Sequence, residues 1–453
     1  MTKTIKAKKT PLKKFSVVEL FCGCGGFSHG FHRTQKFDII CGVDVKKQAL
    51  ETFRKNHLDG AGTPPSIIEG DIREIEISDI QNILKKRGIE PDGLDCLIGG
   101  PPCQGFSQLR RSNERKQNKI VRFRGYDRLD QDPRNDLVLR FLEIAATLLP
   151  KIIIIENVPQ MMRHVHDGVD GGLPILIKSL LEELEYEVED DILNAADFGV
   201  PQIRQRALII ASRVGKLKFP KPTHAEIISG ATKDKSPWVT VSEALSDLPS
   251  PPIGTIDTLG NGPLTLYKNS GSKYSKKIKS SKNFPYNHIA RTYNERVIAI
   301  SRNMRAGETW DEASERMRIQ FEKKLLAEKT DKETTEQCRK RLIDSGDICE
   351  AFYKKYYWSA YTRLNPAQPA LTITANANFL GSGRFTHPYE DRGITMREAA
   401  RLQSFHDDFT LITSIDGRDL TTNPGIGLDM IGEAVPPLLS EAIANEALKL
   451  LNK

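Results

Sequence analysis

From residue 15 to residue 212 the chain alternates two kinds of segment, and this rhythm constrains the fold more than any other feature. FSVVELF (15–21), FDIICGVDV (37–45), SIIEGDI (66–72), LDCLIGG (94–100), KIIIIENV (151–158) and RALIIAS (206–212) are short and rich in Val and Ile. Between them QALETFRKN, ISDIQNILKKR and DLVLRFLEIAATLLP place apolar residues at helical spacing. Strands that are apolar throughout must be covered on both faces, so the pattern predicts a doubly wound, mostly parallel α/β sheet with helices on each side. Such sheets bind ligands outside the carboxyl ends of their strands, beside the switch in strand order. Motifs at strand ends therefore carry the most weight.

Past residue 214 the rhythm stops. Pro/Gly/Ser-rich loops (FPKPTH, LPSPPIGT, LGNGP), the basic stretch KNSGSKYSKKIKSSKN at 268–283 and a highly charged run, DEASERMRIQFEKKLLAEKTDKETTEQCRKRL, predict a second, smaller, loop-rich domain. The charged run reads as a solvated helix rather than as a nucleic-acid reader. The expected division is a basic arm at 1–14, a ligand-binding domain at 15–214, the loop-rich domain at 215–390, and a return to the first domain at 391–453.

No apolar run approaches the roughly 20 residues of a membrane-spanning helix, and the lysine-rich N-terminus lacks a signal-peptide core, so a cytoplasmic protein is expected. Seven scattered cysteines suit reduced thiols. The net charge of +7 favours a polyanionic partner, with basic residues crowded in the N-terminal arm, in RRSNERKQNKIVRFRGYDR (110–128) and in 268–283. The alternative for each cluster is a solvated surface.

The first strand ends in ELFCGCGGFSHGF, where Gly23, Gly25 and Gly26 let the backbone turn sharply and approach a ligand closely. This is not a G-x-G-x-x-G fingerprint. Asp44, about twenty residues on at the second strand end, can hold ribose hydroxyls. The third strand ends in Gly70-Asp71-Ile72, where a carboxylate can accept from an adenine amino group. An adenosine-containing ligand without a demanding phosphate cradle is implied, and S-adenosylmethionine fits better than NAD. Cys22 and Cys24 form a C-x-C, but no second Cys or His pair completes a metal site at recognisable spacing, so no metal is expected.

In GGPPCQGFS (99–107), Cys103 follows the fourth strand on a mount stiffened by Pro101 and Pro102, and is expected to be a nucleophile rather than a packing thiol. The fifth strand drives Glu156 out of an apolar run. A carboxyl desolvated there should have a raised pKa and act as a proton donor; the alternative is a structural acid satisfied by backbone donors. In GVPQIRQR, Gln202, Arg204 and Arg206 occupy alternate positions entering a strand, so they are expected to share one face, where guanidiniums suit a phosphate or a carbonyl oxygen.

These stretches together resemble a known series. ELFCGCGGF, GVDVKKQALETF, GDI, GGPPCQGFS, DPRNDL, IIIIENV, GVPQIRQR, RLNPAQPALTIT, REAARLQSF and IGEAVPP are similar, in unpermuted order, to the motifs of the DNA (cytosine-5) methyltransferases, from about residue 16 to the C-terminus. The resemblance implies a Rossmann-like S-adenosylmethionine-dependent methyltransferase of the prokaryotic restriction-modification type. Cys103 would add to C6 of cytosine, Glu156 would serve N3, and C5 would then take the methyl group. Arg206 would contact the ring O2 and Arg204 a phosphate or the catalytic loop, while Asn157, Val158 and Gln202 would shape the base pocket. Phe21, Gly23, Gly25, Gly26, Asp44, Asp71, Ile72, Pro101, Leu137, Gly432 and Val435 would line the cofactor site. The segment from Ser107 to Arg134 would close over a flipped base, and 215–357 would read the duplex.

The implied partners are double-stranded DNA and a cognate restriction endonuclease acting at the same site, for a monomer in a bacterial or phage-infected cytoplasm, associated with the nucleoid. A tRNA cytosine methyltransferase on the same motifs is the rival, but its branch carries a much smaller insert. A catalytically dead DNA-binding protein would be expected to lose Cys103 or Glu156. One departure stands out: the family usually has Asn after Gly in the last motif, whereas here Glu433 follows Gly432. Its charge would repel the cofactor's carboxylate end unless it points away.

Overall fold

The computed structural model describes residues 14–90, 92–102, 136–165, 169–226, 234–254, 266–282, 284–412 and 423–453. Cys103, the segment Ser107 to Arg134 and residues 1–13 of the basic arm lie outside the described residues.

A seven-stranded sheet carries the first half of the chain. Its strands are β1 (Phe15–Leu20), β2 (Phe37–Asp44), β3 (Ser66–Glu69), β4 (Cys96–Gly99), β5 (Ile152–Asn157), β6 (Glu187–Asn194) and, after the two-residue β7 (Gln202–Ile203), β8 (Gln205–Ser212). The order is β3-β2-β1-β4-β5-β8-β6, with β8 antiparallel to both neighbours and the other pairs parallel. The chain thus winds outward from β1 to β3 and then outward again from β4, and the switch lies between β1 and β4. β6 was not foreseen. Its sequence, EVEDDILN, alternates charge with apolar residues because it is the sheet edge, half exposed along its length.

Strand alternation sends side chains into two separate cores. Val17, Cys96, Ile98, Ile152, Ile154, Leu208 and Ile210 face one side, under the helices Gly26–Arg33, Lys47–Asn56 and Pro437–Leu451. Val18, Leu20, Leu97, Ile153, Ile155 and Ile209 face the other, under Ile77–Lys86, Asp136–Leu148 and Gly172–Glu183. The all-apolar strand runs are explained by this double cover.

The insert holds a short parallel ladder, β9 (His224–Ala225) with β10 (Ser236–Pro237), and a helical unit with its own core. The charged run is two helices, Trp310–Glu328 and Thr335–Asp344, each started by a complete capping box, Thr309 with Glu312 and Thr334 with Gln337. Ala313, Met317, Phe321 and Leu325 recur every fourth residue and bury one stripe, and Trp310 stacks on Phe352 at 5.0 Å. The chain then returns as β11 (Ala370–Leu371), which pairs in parallel with β7. This two-stranded sheet stands apart from the seven-stranded one, and Gln202 and Arg204 hold residues 370–373 beside the start of β8.

Candidate functional site

The carboxyl end of β5 meets the start of β8. In the antiparallel register Glu156 lies opposite Leu208, so Arg206 is its diagonal neighbour on the same face. The Arg206 Nε sits 2.6 Å from the Glu156 Oε1, both side chains being almost fully buried. Burial pushes the Glu156 carboxyl above the usual carboxylate range, and Arg206 and Arg204 pull against that shift. Burial thus favours the protonated acid, and the guanidinium favours the ion pair. Gly100 lies against it: a Cβ at Gly100 would come within 2.8 Å of the Glu156 Oε2, so only glycine lets the β4 end pass so close. The Asn157 Nδ2 donates to the Pro101 carbonyl at 3.0 Å, fastening the Pro-Pro mount that leads into Cys103.

One strand over, the loop after β1 turns through Phe21, Gly23 and Gly25, at φ of 55°, 51° and 87°. Phe21 is the exception there, a side chain held in a left-handed conformation that costs on the order of 1 kcal/mol, a form of strain that clusters at ligand sites. A Cβ at Gly23 would meet nothing within 4 Å, so the loop faces open space there. The Asp44 Oδ2 accepts from the Gly23 N–H and its Oδ1 from the Lys46 N–H, both at 2.8 Å, which locks the loop to the end of β2. Phe21, Ile72, Leu137 and Val158 all pack with the second core, and the Arg140 Nε donates to the Ile72 carbonyl at 3.1 Å. Gly-rich turn, strand-end carboxylate and apolar wall thus meet at the carboxyl ends of β1 and β2.

Of the other expected site residues, Gln202 and Arg204 are engaged by the backbone of the return segment, whereas Arg206 meets Glu156. The Arg204 guanidinium is buried and donates to the carbonyls of Ile373 (2.7 Å), Gly432 (2.8 Å) and Ala434 (3.1 Å). It ties the end of the helix Pro424–Glu433 to the sheet, where those carbonyls would otherwise stay unsatisfied. Gln202 accepts from the Ile373 N–H at 2.9 Å and donates to Gln403 and to the Leu402 carbonyl. It is completely buried, and these hydrogen bonds clamp residues 373 and 402–403 to β7. Asp71 is engaged by Arg73, whose hydrogen bonds hold the carboxyl down at about 2. Gly432 is required by packing, since a Cβ there would lie 2.2 Å from the Thr374 carbonyl carbon, and the Val435 carbonyl lies against Gly26. Cys22 and Cys24 are buried thiols, raised by desolvation, and the Cys24 thiol donates to the Met430 carbonyl.

Residues 15–449 match the family model of C-5 cytosine-specific DNA methylases. The chain belongs to that family. As a DNA cytosine-5 methyltransferase it is similar to the putative type II methyltransferase M.OihORF3336P of Oceanobacillus iheyensis, 29% identical over 99% of this chain and 98% of the relative. It is also similar to the type II methyltransferase M.DdeI of Desulfomicrobium norvegicum, 28% identical over 95% and 87%. Among solved structures, a putative DNA modification methyltransferase encoded within an E. coli prophage aligns over 97% of this chain and all of its own, at a TM-score of 0.60 and 22% identity. That likeness concerns the fold.

Two features of this methyltransferase were not read from its sequence. Glu433 is turned to the Lys46 ammonium, 2.7 Å from its Oε1 and 2.5 Å from its Oε2, so its charge is neutralised from the β2 side. Glu19, inside the β1 run, is buried and pushed up to about 8 by desolvation, near Asp44 and Glu156. The signal was present: FSVVELF embeds an acid in an apolar strand, as KIIIIEN does.

Proposed function

We propose that this enzyme transfers a methyl group from S-adenosylmethionine to carbon 5 of a specific cytosine in duplex DNA, through a covalent bond between Cys103 and C6. It would do so as the modification enzyme of a restriction-modification system. The observation that carries this reading is the buried Glu156–Arg206 pair packed against Gly100, three residues before Cys103.

Carbon 5 of cytosine is a poor nucleophile, and addition of a thiolate at C6 turns it into an enamine carbon. Charge then collects on the ring at N3 and O2. Glu156, whose carboxyl is raised by burial against the pull of Arg206, can give a proton to N3, and Arg206 can turn its donors to O2. Asn157 keeps the Pro101–Pro102 mount at fixed height beside that acid. S-adenosylmethionine, when bound, would supply an electrophilic methyl group on a sulfonium, and loss of the C5 proton would then let the Cys103–C6 bond break by elimination, freeing the thiolate. The open loop at Gly23, Asp44 and the apolar wall of Phe21, Ile72 and Leu137 would hold it. The base must leave the stack to reach such a pocket. Names of relatives support the system: type II methyltransferases protect sites that a partner endonuclease cuts, and a monomer acting alone suits that task.

A duplex carrying 5-fluorocytosine at the target tests the reading, because fluorine does not leave as a proton does and the adduct stalls. A denaturant-resistant protein–DNA bond that requires S-adenosylmethionine and disappears in Cys103→Ser is expected. An adduct formed on tRNA but not on duplex DNA would overturn the choice of substrate.

A further inference from the structure

Most buried arginines of the insert and the return segment are fully spent. Arg363, Arg392, Arg397 and Arg401 each engage carboxylates or several carbonyls. Arg384 differs. Its guanidinium carbon lies 4.3 Å from the centre of the Trp358 ring, and among the described residues no carboxylate or carbonyl accepts a hydrogen bond from it. Tyr357 stands next to it, its ring 5.8 Å from that of Trp358. Partial burial lowers the Arg384 pKa, with Tyr357 pulling against that shift.

Both halves of this stack are rigidly mounted. The Trp358 carbonyl accepts from the Trp310 N–H at 2.7 Å, at the first turn of the helix whose core Trp310 anchors. Arg384 is followed by the buried Phe385 and by Thr386, which bridges to Arg363 and Gly393. Trp358, Tyr357 and Phe379 remain 43%, 46% and 63% exposed. The same segment begins against β7, just ahead of the strand β8 that carries Arg206: Thr372 donates to the Ile203 carbonyl and Ile373 to Gln202. From Ile373 to Arg384 the chain spans eleven residues, at most about 40 Å when extended, and two short 3-10 turns shorten that.

Resting on the reading of the enzyme as a duplex-DNA methyltransferase, we propose that Arg384, stacked on Trp358, is a specificity-determining residue that reads a guanine of the target site through O6 and N7. Stacking fixes the plane of the guanidinium and leaves its outer N–H fork free, which is the geometry of bidentate guanine recognition in the major groove. A phosphate accepts the same fork but carries no sequence information, so loss of a phosphate contact would lower the rate on every sequence alike.

The test is bisulfite sequencing of a randomised duplex library methylated by the wild type, Arg384→Lys and Arg384→Ala. The wild-type motif should contain a guanine whose discrimination falls on the order of 10- to 100-fold in both variants while the other positions hold. Lysine keeps the charge and loses the fork, so it separates the two kinds of contact. A motif unchanged in both variants, or a uniform loss of rate across all sequences, or a motif retained by Lys alone, overturns the assignment of Arg384 while leaving the methyltransferase intact. A wild type that marks no cytosine in any duplex overturns both readings.

Discussion

Glu156 and Arg206 form a buried ion pair, 2.6 Å from Oε1 to Nε, across the β5–β8 register. The pair sets the proton affinity of the acid: burial raises it and the guanidinium restrains it. Arg206→Met removes the restraint, so the Glu156 pKa should rise further and the alkaline limb of the kcat–pH profile should move to higher pH, alongside a fall in rate. A limb that stays where the wild type has it would show that Glu156 does not carry the titrating proton.

Glu156→Gln preserves shape and removes the acid. Turnover should drop by about 10² or more, with DNA and donor affinity retained, as read by single-turnover kinetics and equilibrium binding. Wild-type turnover in this variant would leave Glu156 a structural role only.

Asn157→Leu should strip the Pro101 carbonyl of its donor. A buried acceptor left unpaired costs roughly 1–3 kcal/mol of stability, and the slackened mount should lower kcat more than it raises the donor KM. Equal losses in both would mean that Asn157 does not position the Cys103 segment.

Lys46→Met leaves Glu433 uncompensated beside the donor loop, so S-adenosylmethionine affinity should weaken, the more so at low salt. The double variant Lys46→Met, Glu433→Asn should recover most of that loss in calorimetric titrations. Additive losses would place the pair outside the donor's reach.

Stability should peak near pH 6.5. His29, His57 and His406 are buried and depressed, the last two down to about 3, so the fold binds fewer protons than the unfolded chain below about pH 6.5 and loses stability as pH falls. Glu19, up at about 8, works the other way: its contribution is present at low pH and lost as pH rises through 8. Thermal melting across pH 4.5–9 should show both slopes, and Glu19→Gln should flatten the alkaline one. A melting curve flat below pH 6.5 would contradict the neutral state of the histidines.

The strands and the acid at the end of β5 were legible because burial on both faces writes uninterrupted Val and Ile runs, which a lone Glu156 breaks visibly. β6 was not, because an edge strand alternates like a surface helix or loop. Arg204 and Arg206 look alike in QIRQR, and only the tertiary position of residues 373 and 432–434 distinguishes a guanidinium that binds backbone from one that meets the acid. Glu433 read as a repulsive charge because Lys46, 387 residues away in sequence, is brought to it by the fold.

The packing of the helix Gly26–Arg33 on the helix Pro437–Leu451 sets a clock on biosynthesis. Cβ positions at Gly26 and Gly30 fall within 2.5 Å of the backbone of Val435 and Glu441, and Ser440 donates to the Phe27 carbonyl. The helix that follows the glycine turn therefore packs on a segment translated some 400 residues later, roughly 20–80 s at ordinary elongation rates. A nascent chain displays β1, its glycine turn and the Cys103 motif early, yet the helix Gly26–Arg33 lacks its packing partner until the helix Pro437–Leu451 has been made.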